Sequence, residues 1–246
     1  MSRNSSEEVI ILRVKPVGEI HASVRMLGRS SGLLDAMAYG ARSRRGSLRG
    51  RVVPFASGRC YLYTDPTKGS SKIVDLAVET YYPELRENIR KFYIATLWAE
   101  IVLASYAAGS EGEQVWNLLS PSLDLLASGE ESGTDRINFQ FLWHFIELLG
   151  TRPELPRALA GHYRYLSSEH RFSSVGSLEE AGEGDELLSA GSLAYLRGME
   201  GRSLEEAAAL RPTREQTREL KSFLFRLVQE SSGRELRTIR SGRDIL

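Results

Sequence analysis

The chain is short of the residues that build disulfides and metal centres. Cys60 is the only cysteine among 246 residues, which excludes an intramolecular disulfide and a cysteine-rich zinc site. His162 and His170 have no cysteine near them, so hydrogen-bonding or solvated histidines are favoured over metal ligands. His144 falls in an apolar stretch and is expected at the edge of a core. We therefore expect no metal and no cofactor.

Catalytic and membrane signatures are also missing. The chain has no phosphate-binding glycine-rich loop, no nucleophile–histidine–acid set and no acidic metal cluster. Its opening residues, MSRNSSEEVI, have no apolar signal core, and no run approaches the length of a membrane span. These absences predict a soluble, cytoplasmic protein that is not an enzyme and has no small-molecule substrate.

The formal charge of zero conceals an uneven distribution. Residues 1–80 contain 13 Lys and Arg against 7 Asp and Glu, a net charge of +6. The remaining residues, 81–246, carry a net charge of −6. Such asymmetry indicates that the first part of the chain binds a polyanion, although chance placement of surface charge would give the same totals.

The first third of the chain has the period of β-strands. Apolar and polar residues alternate in short runs within residues 8–82, as half-buried strands require. Further extended runs at 33–39, 51–64 and 72–82 are separated by turn residues such as Asp65-Pro66. Five short strands predict a small barrel or sandwich, with the five-stranded OB barrel as one candidate.

After Pro83 the apolar spacing becomes helical. Thr134 is a possible N-cap and Gly150 the stop of the third predicted helix. The predicted helices are 83–107, 113–127 and 134–149, with a last helix ended by Gly233. Two capping-box patterns occur at Ser203–Glu206 and Thr213–Gln216.

We predict an α+β fold with two domains. The first is a five-stranded OB-like barrel at residues 1–80, and the second is an all-α domain at residues 81–246. Within the second domain, about 151–186 is rich in Gly, Ser, Glu and Arg, which predicts an irregular insert.

One arginine-rich stretch carries the main functional signal. No acidic residue occurs from Ala36 through Thr64, and the glycines and serines of Gly40–Arg51 predict a flexible loop. The arginines of the stretch are Arg42, Arg44, Arg45, Arg49, Arg51 and Arg59. Guanidinium groups stay charged and bind phosphate oxygens with two parallel hydrogen bonds. Uncompensated positive charge therefore favours nucleic acid or polyphosphate binding over a merely solvated loop.

A second element follows on the next extended run. Arg59, Tyr61 and Tyr63 share one strand parity, opposite Cys60 and Leu62. An Arg/Tyr face can stack unpaired bases. The tyrosines can equally well pack beneath the helical half, and the spacing does not separate the two uses.

The order of these motifs resembles the bacterial RecO recombination mediator family. The segments VIILRVKPVGE, VRMLGRSSGLLDAMAYGARSRRGSLRG and VVPF look like the barrel of that family. They comprise a strand, a Gly-Leu-Leu turn into a strand, a Gly-Ala-Arg basic loop and a Pro-Phe that enters the next strand. The helix FYIATLWAEIVL takes the place of the family's first long helix, and SGRELRTIRSGRDIL resembles its closing segment.

The resemblance implies a function in DNA repair. RecO proteins bind single- and double-stranded DNA and anneal complementary strands. With RecR they help RecA replace single-strand-binding protein (SSB) on gapped DNA, which implies a cytoplasmic, nucleoid-associated protein. The loop from Arg42 to Arg51 becomes the best DNA-binding candidate. The other candidates for DNA contact are Lys15, Arg25, Arg29, Arg59 and Tyr61.

The resemblance also implies contact with the acidic C-terminal tail of SSB. The tail site would be an apolar pocket with a basic rim in the helical half, where Arg90 and Lys91 are the candidates. One departure concerns a four-cysteine zinc site that many family members carry after the third helix. In this chain Ala158 and Gly161 stand at the first cysteine pair, so zinc cannot bind in that way. What holds the insert together is left open.

Three other functions are compatible with the residues. A protein-interaction adaptor would need the barrel to touch nucleic acid weakly or never. An RNA-binding OB module is also possible, because a basic loop does not distinguish the two sugars. A nucleic-acid-processing enzyme is least favoured, because no acidic metal cluster is visible.

Overall fold

The computed structural model describes residues 3–106, 112–176 and 187–246. Contacts between residues divide the chain into two compact units, Met1–Ala127 and Ser128–Leu246. Both units have a buried apolar core of their own, as a stable domain requires.

Five strands in the first unit form a closed barrel with the order β1-β2-β3-β5-β4. Their bounds are β1 Asn4–Val17, β2 His21–Gly28, β3 Gly32–Ala38, β4 Ser57–Thr64 and β5 Ser71–Thr80. Neighbours run antiparallel except β3 and β5, which meet in parallel. The predicted α+β class with a five-stranded N-terminal barrel is confirmed. The fourth strand begins later than predicted, because residues 51–56 form turns.

Alternating side chains fill the barrel interior. Val9 and Ile11 of β1 are fully buried in it, together with Cys60 and Leu62 of β4. Ile10 lies on the opposite face of β1 and is also fully buried, because a helix packs against that strand. This two-sided burial explains why the sequence VIIL at the centre of β1 is continuously apolar.

Three helices complete the first unit: α1 Pro83–Glu87, α2 Ile89–Ser105 and α3 Gly112–Ser128. Two polar contacts tie them together. The Tyr82 hydroxyl donates to the Asp124 carboxylate at 2.7 Å, and the Lys91 ammonium donates to the Ala127 carbonyl at 2.8 Å. Burial, followed by the hydrogen bond to Asp124, raises the pKa of Tyr82 well above its ordinary value.

The second unit is mainly helical and also contains a small antiparallel sheet with the order β7-β6-β8. Its elements are α4 Thr134–Leu148, β6 His162–Leu166, β7 Arg171–Val175, β8 Leu187–Ser189, α5 Ala190–Met199, α6 Leu204–Ala208, α7 Arg214–Ser232 and α8 Arg237–Ser241, with 3-10 turns at Glu131–Gly133 and Ser167–Glu169. Helix α7 packs against α4 and β8 through a face that includes Leu220, Phe223 and Leu227.

Local signals placed several helix ends correctly. Both predicted capping boxes are present, at Ser203 with Glu206 and at Thr213 with Gln216. The prediction of Thr134 as an N-cap is wrong. Its hydroxyl donates back to the Glu131 carbonyl at 2.9 Å, because the preceding 3-10 turn leads directly into the helix.

The predicted irregular insert at 151–186 needs correction. It contains β6 and β7, while 177–186 lies outside the described residues. Inward-facing Tyr163 and Tyr165 on β6 are 6% and 3% exposed. Strand pairing was missed because polar residues dominate this segment, so the tertiary contact outweighs the local composition.

The domain boundary predicted at residue 80 coincides with the end of β5 at Thr80. By contacts, however, α1, α2 and most of α3 belong with the barrel. A division of the chain at 80 therefore stays a prediction, and the compact units divide about 47 residues later.

The segment that aligns with the family's zinc site offers no zinc ligands and is held by other groups. The Tyr163 hydroxyl donates to the Ala158 carbonyl at 2.7 Å and accepts from the Ala160 amide at 3.1 Å. The Arg197 guanidinium binds the carbonyls of Pro156 and Arg157. In the described segments no three His, Cys, Asp or Glu side chains converge as a metal site would require.

No helix in the described segments combines the length and the apolar character needed to span a lipid bilayer.

The barrel core extends into the β3–β4 connection, where Leu48 is 2% exposed. We expect Leu48→Ala to lower the free energy of unfolding by about 2–5 kcal/mol, because it removes buried methyl groups and leaves a cavity. Chemical denaturation monitored by circular dichroism measures this loss. The neighbouring exposed variant Arg49→Ala should change stability by about 0.5 kcal/mol or less. Equal stability of Leu48→Ala and the wild type would contradict the packing of this loop into the core.

Candidate nucleic-acid interface

The β3–β4 connection is a series of turns, and we call its residues 40–56 the basic loop. Ala41, Leu48 and Val52 insert into the barrel core. The Arg42 amide donates to the Ile20 carbonyl at 3.0 Å, and the Phe55 amide donates to the Ile11 carbonyl at 2.7 Å. The prediction of a flexible loop is therefore corrected, because apolar side chains between the arginines anchor the backbone.

The exposed cations of the basic loop are Arg42, Arg44, Arg45 and Arg49. None of them lies within 4 Å of a carboxylate of the described residues, so their charge is uncompensated. Two bind only backbone carbonyls: Arg42 donates to Gly18 at 3.4 Å, and Arg49 to Arg44 at 3.0 Å. Four guanidinium ions without counter-charge on one anchored loop create a positive field that attracts polyanions.

Arg51, a further predicted contact, has a different environment. Its guanidinium lies 2.8 Å from the Asp75 carboxylate and donates to the Leu76 carbonyl at 2.9 Å. It also binds the Ser47 carbonyl, at 2.7 Å from its Nε. These bonds fasten the end of the basic loop to β5, so Arg51 has a structural contact set that the other loop arginines lack.

The predicted cations outside the loop are mostly paired. Arg25 lies 2.9 Å from Asp35 on the adjacent strand β3. Arg29 and Arg59 share Glu8, at 2.8 and 3.5 Å. The hydrogen bond from Arg29 and the positive charges of both arginines lower the pKa of Glu8, against an opposing effect of desolvation.

Lys15 is the exception outside the loop. It is exposed near the end of β1, and no carboxylate of the described residues lies within 4 Å of its ammonium group. Lys15 therefore resembles the four loop arginines as an uncompensated cation, although it lies on β1 and not on the basic loop.

The predicted parity of β4 is confirmed. Cys60 and Leu62 are 0% and 6% exposed, whereas Tyr61 is 42% exposed. Tyr61 thus does not pack beneath the helices, and Tyr63 lies under the Lys72 ammonium at 4.9 Å from its ring centre. Burial, reinforced by the charges of Asp75 and Glu7, raises the pKa of the Cys60 thiol to about 12, which keeps it protonated.

An open groove of about 500 Å³ lies beside Arg29 and Arg59. The Glu7 carboxylate sits in it and accepts hydrogen bonds from the amides of Ser30 and Ser31 at 2.6 and 2.8 Å. The Ser31 hydroxyl donates to the same carboxylate at 2.5 Å. Gly28 makes room for it, because a Cβ there would lie 2.8 Å from the carboxyl carbon. This groove is electrically mixed, in contrast to the basic loop.

Sequence reasoning missed one exposed aromatic residue. Tyr39 directly follows β3, is 55% exposed and borders the basic loop. Its position immediately before the Gly-Ala-Arg motif was the available signal. The alternation of apolar and polar residues predicted a strand that ends at Tyr39, and this pattern did not indicate that the tyrosine ring is exposed.

The two residues predicted for a tail-binding rim lie at the start of α2. Arg90 is partly buried. Lys91 is only 8% exposed, and its ammonium donates to the Ala127 carbonyl. The expectation of an exposed cation at Lys91 is therefore corrected, because this lysine stabilises the contact between α2 and α3.

Comparison with protein families covers nearly the whole chain. The model described as Recombination protein O N terminal matches residues 1–81. The model described as Recombination protein O C terminal matches residues 86–240. The boundary between these two matches falls just after the barrel.

Curated relatives agree with the family models. A DNA repair protein RecO from Pelotomaculum thermopropionicum is 32% identical over 167 residues, covering 65% of this chain and 63% of the relative. The protein of the same name from Desulfatibacillum aliphaticivorans is 26% identical, covering 61% and 58%. That from Synechococcus elongatus is 26% identical, covering 63% and 57%. The chain thus matches about three fifths of the length of these relatives.

Proposed function

The chain belongs to the RecO family, and we propose that it is a DNA-binding recombination mediator that anneals complementary strands during DNA repair. The observation that carries this proposal is the group of exposed arginines without counter-charge on the anchored basic loop. Phosphate contacts of this kind are independent of base sequence, which suits a protein that acts on any gapped DNA.

The proposed chemistry is passive. Two complementary strands repel each other through their phosphates, and arginines bound to one strand reduce that repulsion until base pairing takes over. Neither a nucleotide cofactor nor a metal is needed for such a step. The protein therefore acts as a mediator and not as an enzyme.

The partners proposed for the chain are single- and double-stranded DNA, RecR and the C-terminal tail of SSB. The family resemblance supports these partners, and it supports the loading of RecA on SSB-coated DNA in the cytoplasm, at the nucleoid. Lys91 is excluded from the tail site by its burial, which leaves Arg90 as the candidate of that pair.

We expect the protein to accelerate the annealing of two complementary labelled strands without ATP and in the presence of a metal chelator. Because the mechanism depends only on charge, annealing should slow as salt rises. Fluorescence energy transfer between the strands measures the rate. An RNA pair annealed faster than the DNA pair would favour the RNA-binding alternative, and no acceleration of either pair would favour the adaptor.

The basic loop makes a more specific prediction. Arg44→Ala combined with Arg45→Ala should weaken binding to single-stranded DNA by on the order of tenfold, and should flatten the salt dependence by about 0.7 per lost phosphate contact. Fluorescence polarisation across a salt series measures both quantities. The matched control is Arg211→Ala with Arg214→Ala, which removes the same charge from exposed positions of the second unit. An unchanged salt slope in the loop variant would remove the loop from the interface.

The ion pairs at Glu8 predict the opposite effect. Glu8→Gln removes the charge that holds Arg29 and Arg59, so both cations become available to phosphate. We expect binding to tighten by on the order of threefold and the salt dependence to steepen. Glu79→Gln is the control, because Glu79 is exposed on β5 with no ion pair to any described residue. Equal effects of the two variants would show that only net charge matters and that the paired arginines lie outside the interface.

A further inference from the structure

Tyr39 is an exposed aromatic ring in a fixed position. The rings of Tyr39 and His21 pack edge to face, with 5.1 Å between their centres and an angle of 78° between their planes. His21 Nδ1 accepts a hydrogen bond from the Gly40 amide at 3.1 Å. Gly40 has a φ of +71°, which turns the chain sharply after the tyrosine at little steric cost. A ring already ordered in this way loses little freedom when a ligand stacks on it.

The surroundings of Tyr39 combine exposed apolar side chains with the arginines of the basic loop. Val17 at the end of β1 and Ile20 of the β1–β2 turn are 39% and 46% exposed, and the turn also carries the exposed Glu19. The register of β1 and β2 places Val17 opposite His21, and the His21 ring contacts Tyr39. The Ile20 carbonyl accepts a hydrogen bond from the Arg42 amide. The Arg42 guanidinium reaches back to the Gly18 carbonyl of the same turn. Tyr39, Val17 and Ile20 therefore form an exposed apolar ridge, which adjoins the uncompensated arginines of the basic loop.

An unpaired nucleotide has the chemistry that matches this arrangement. Its base has two apolar faces that can stack on an aromatic ring, and its phosphate is an anion that an adjacent guanidinium binds. A base pair inside a duplex has both faces already stacked on its neighbours. The ridge thus favours single strands over duplex, whereas the arginines bind both.

Tyr61 has no comparable setting, although it is also exposed. It lies opposite Asp75 on β5, and Asp75 is paired with Arg51. The adjacent Arg59 is paired with Glu8. No uncompensated guanidinium of the described residues therefore lies beside Tyr61 to hold the phosphate of a stacked base.

We propose that Tyr39 is the residue on which an unpaired base of the bound strand stacks, and that this stacking strengthens binding to single strands relative to duplex. This inference rests on the proposed DNA-binding function. Since the basic loop supplies affinity for phosphates and Tyr39 supplies affinity for bases, the two contributions are separable by changing the DNA as well as the protein.

The test compares the wild type with Tyr39→Ala, Tyr39→Phe and the control Tyr81→Ala, at another exposed tyrosine, on three probes. The probes are a single strand, an abasic strand with the same number of phosphates, and a duplex. We expect Tyr39→Ala to lose about tenfold in affinity for the base-containing strand and to bind the abasic strand and the duplex as the wild type does. Tyr39→Phe, which keeps the aromatic ring, and Tyr81→Ala should behave as the wild type on all three.

Fluorescence polarisation at constant salt measures the affinities, and thermal unfolding shows whether each variant is folded. If Tyr39→Ala lowers the melting temperature, Tyr39→Leu keeps the apolar bulk without the aromatic ring and should show the same selective loss. Wild-type affinity of Tyr39→Ala for the base-containing strand would overturn the inference, as would an equal loss on the abasic strand. A wild type that binds none of the probes would overturn the proposed function itself.

Discussion

The packing of the β3–β4 connection into the barrel interior determines where the positive charge of this protein lies. A small closed barrel must fill its interior with side chains at close to crystal density, and Leu48 and Val52 contribute to that filling. Because these anchors alternate with arginines, the guanidinium groups between them face solvent. The loop has therefore lost its conformational freedom on folding, and binding a polyanion does not require that loss again.

Ion pairing within the barrel separates two kinds of arginine. Arg25 and Arg51 have carboxylate partners contributed by a neighbouring strand, so they stabilise the barrel and contribute little to its external field. Arg44 and Arg45 have no such partner among the described residues, so their charge contributes to that field. A net charge of zero is thus compatible with strong local attraction for phosphate, since the field depends on how charges are arranged.

The second unit shows how a segment can be held without a metal. Tyr163 bridges the backbone at Ala158 and Ala160, and the resemblance places the first pair of zinc ligands of the family at Ala158 and Gly161 in the same segment. On the same sheet, Tyr165 contacts Phe223 of α7 edge to face, with 5.4 Å between ring centres. Aromatic packing and hydroxyl hydrogen bonds satisfy this region, and both depend on strand pairing that a polar composition does not reveal.

The sequence by itself determined the features that depend on near neighbours. Strand parity put Cys60 and Tyr61 on opposite faces of β4 without telling which face is buried, and Gly150 follows the end of its helix, as predicted. It also located the arginine-rich loop, but it could not distinguish Arg51 from the others. Only the tertiary structure decided that distinction, because Asp75 lies on β5, beyond β4 in the chain, and only the folded barrel brings it to Arg51. The exposure of Tyr39 was decided in the same way, since burial depends on which distant elements cover a residue.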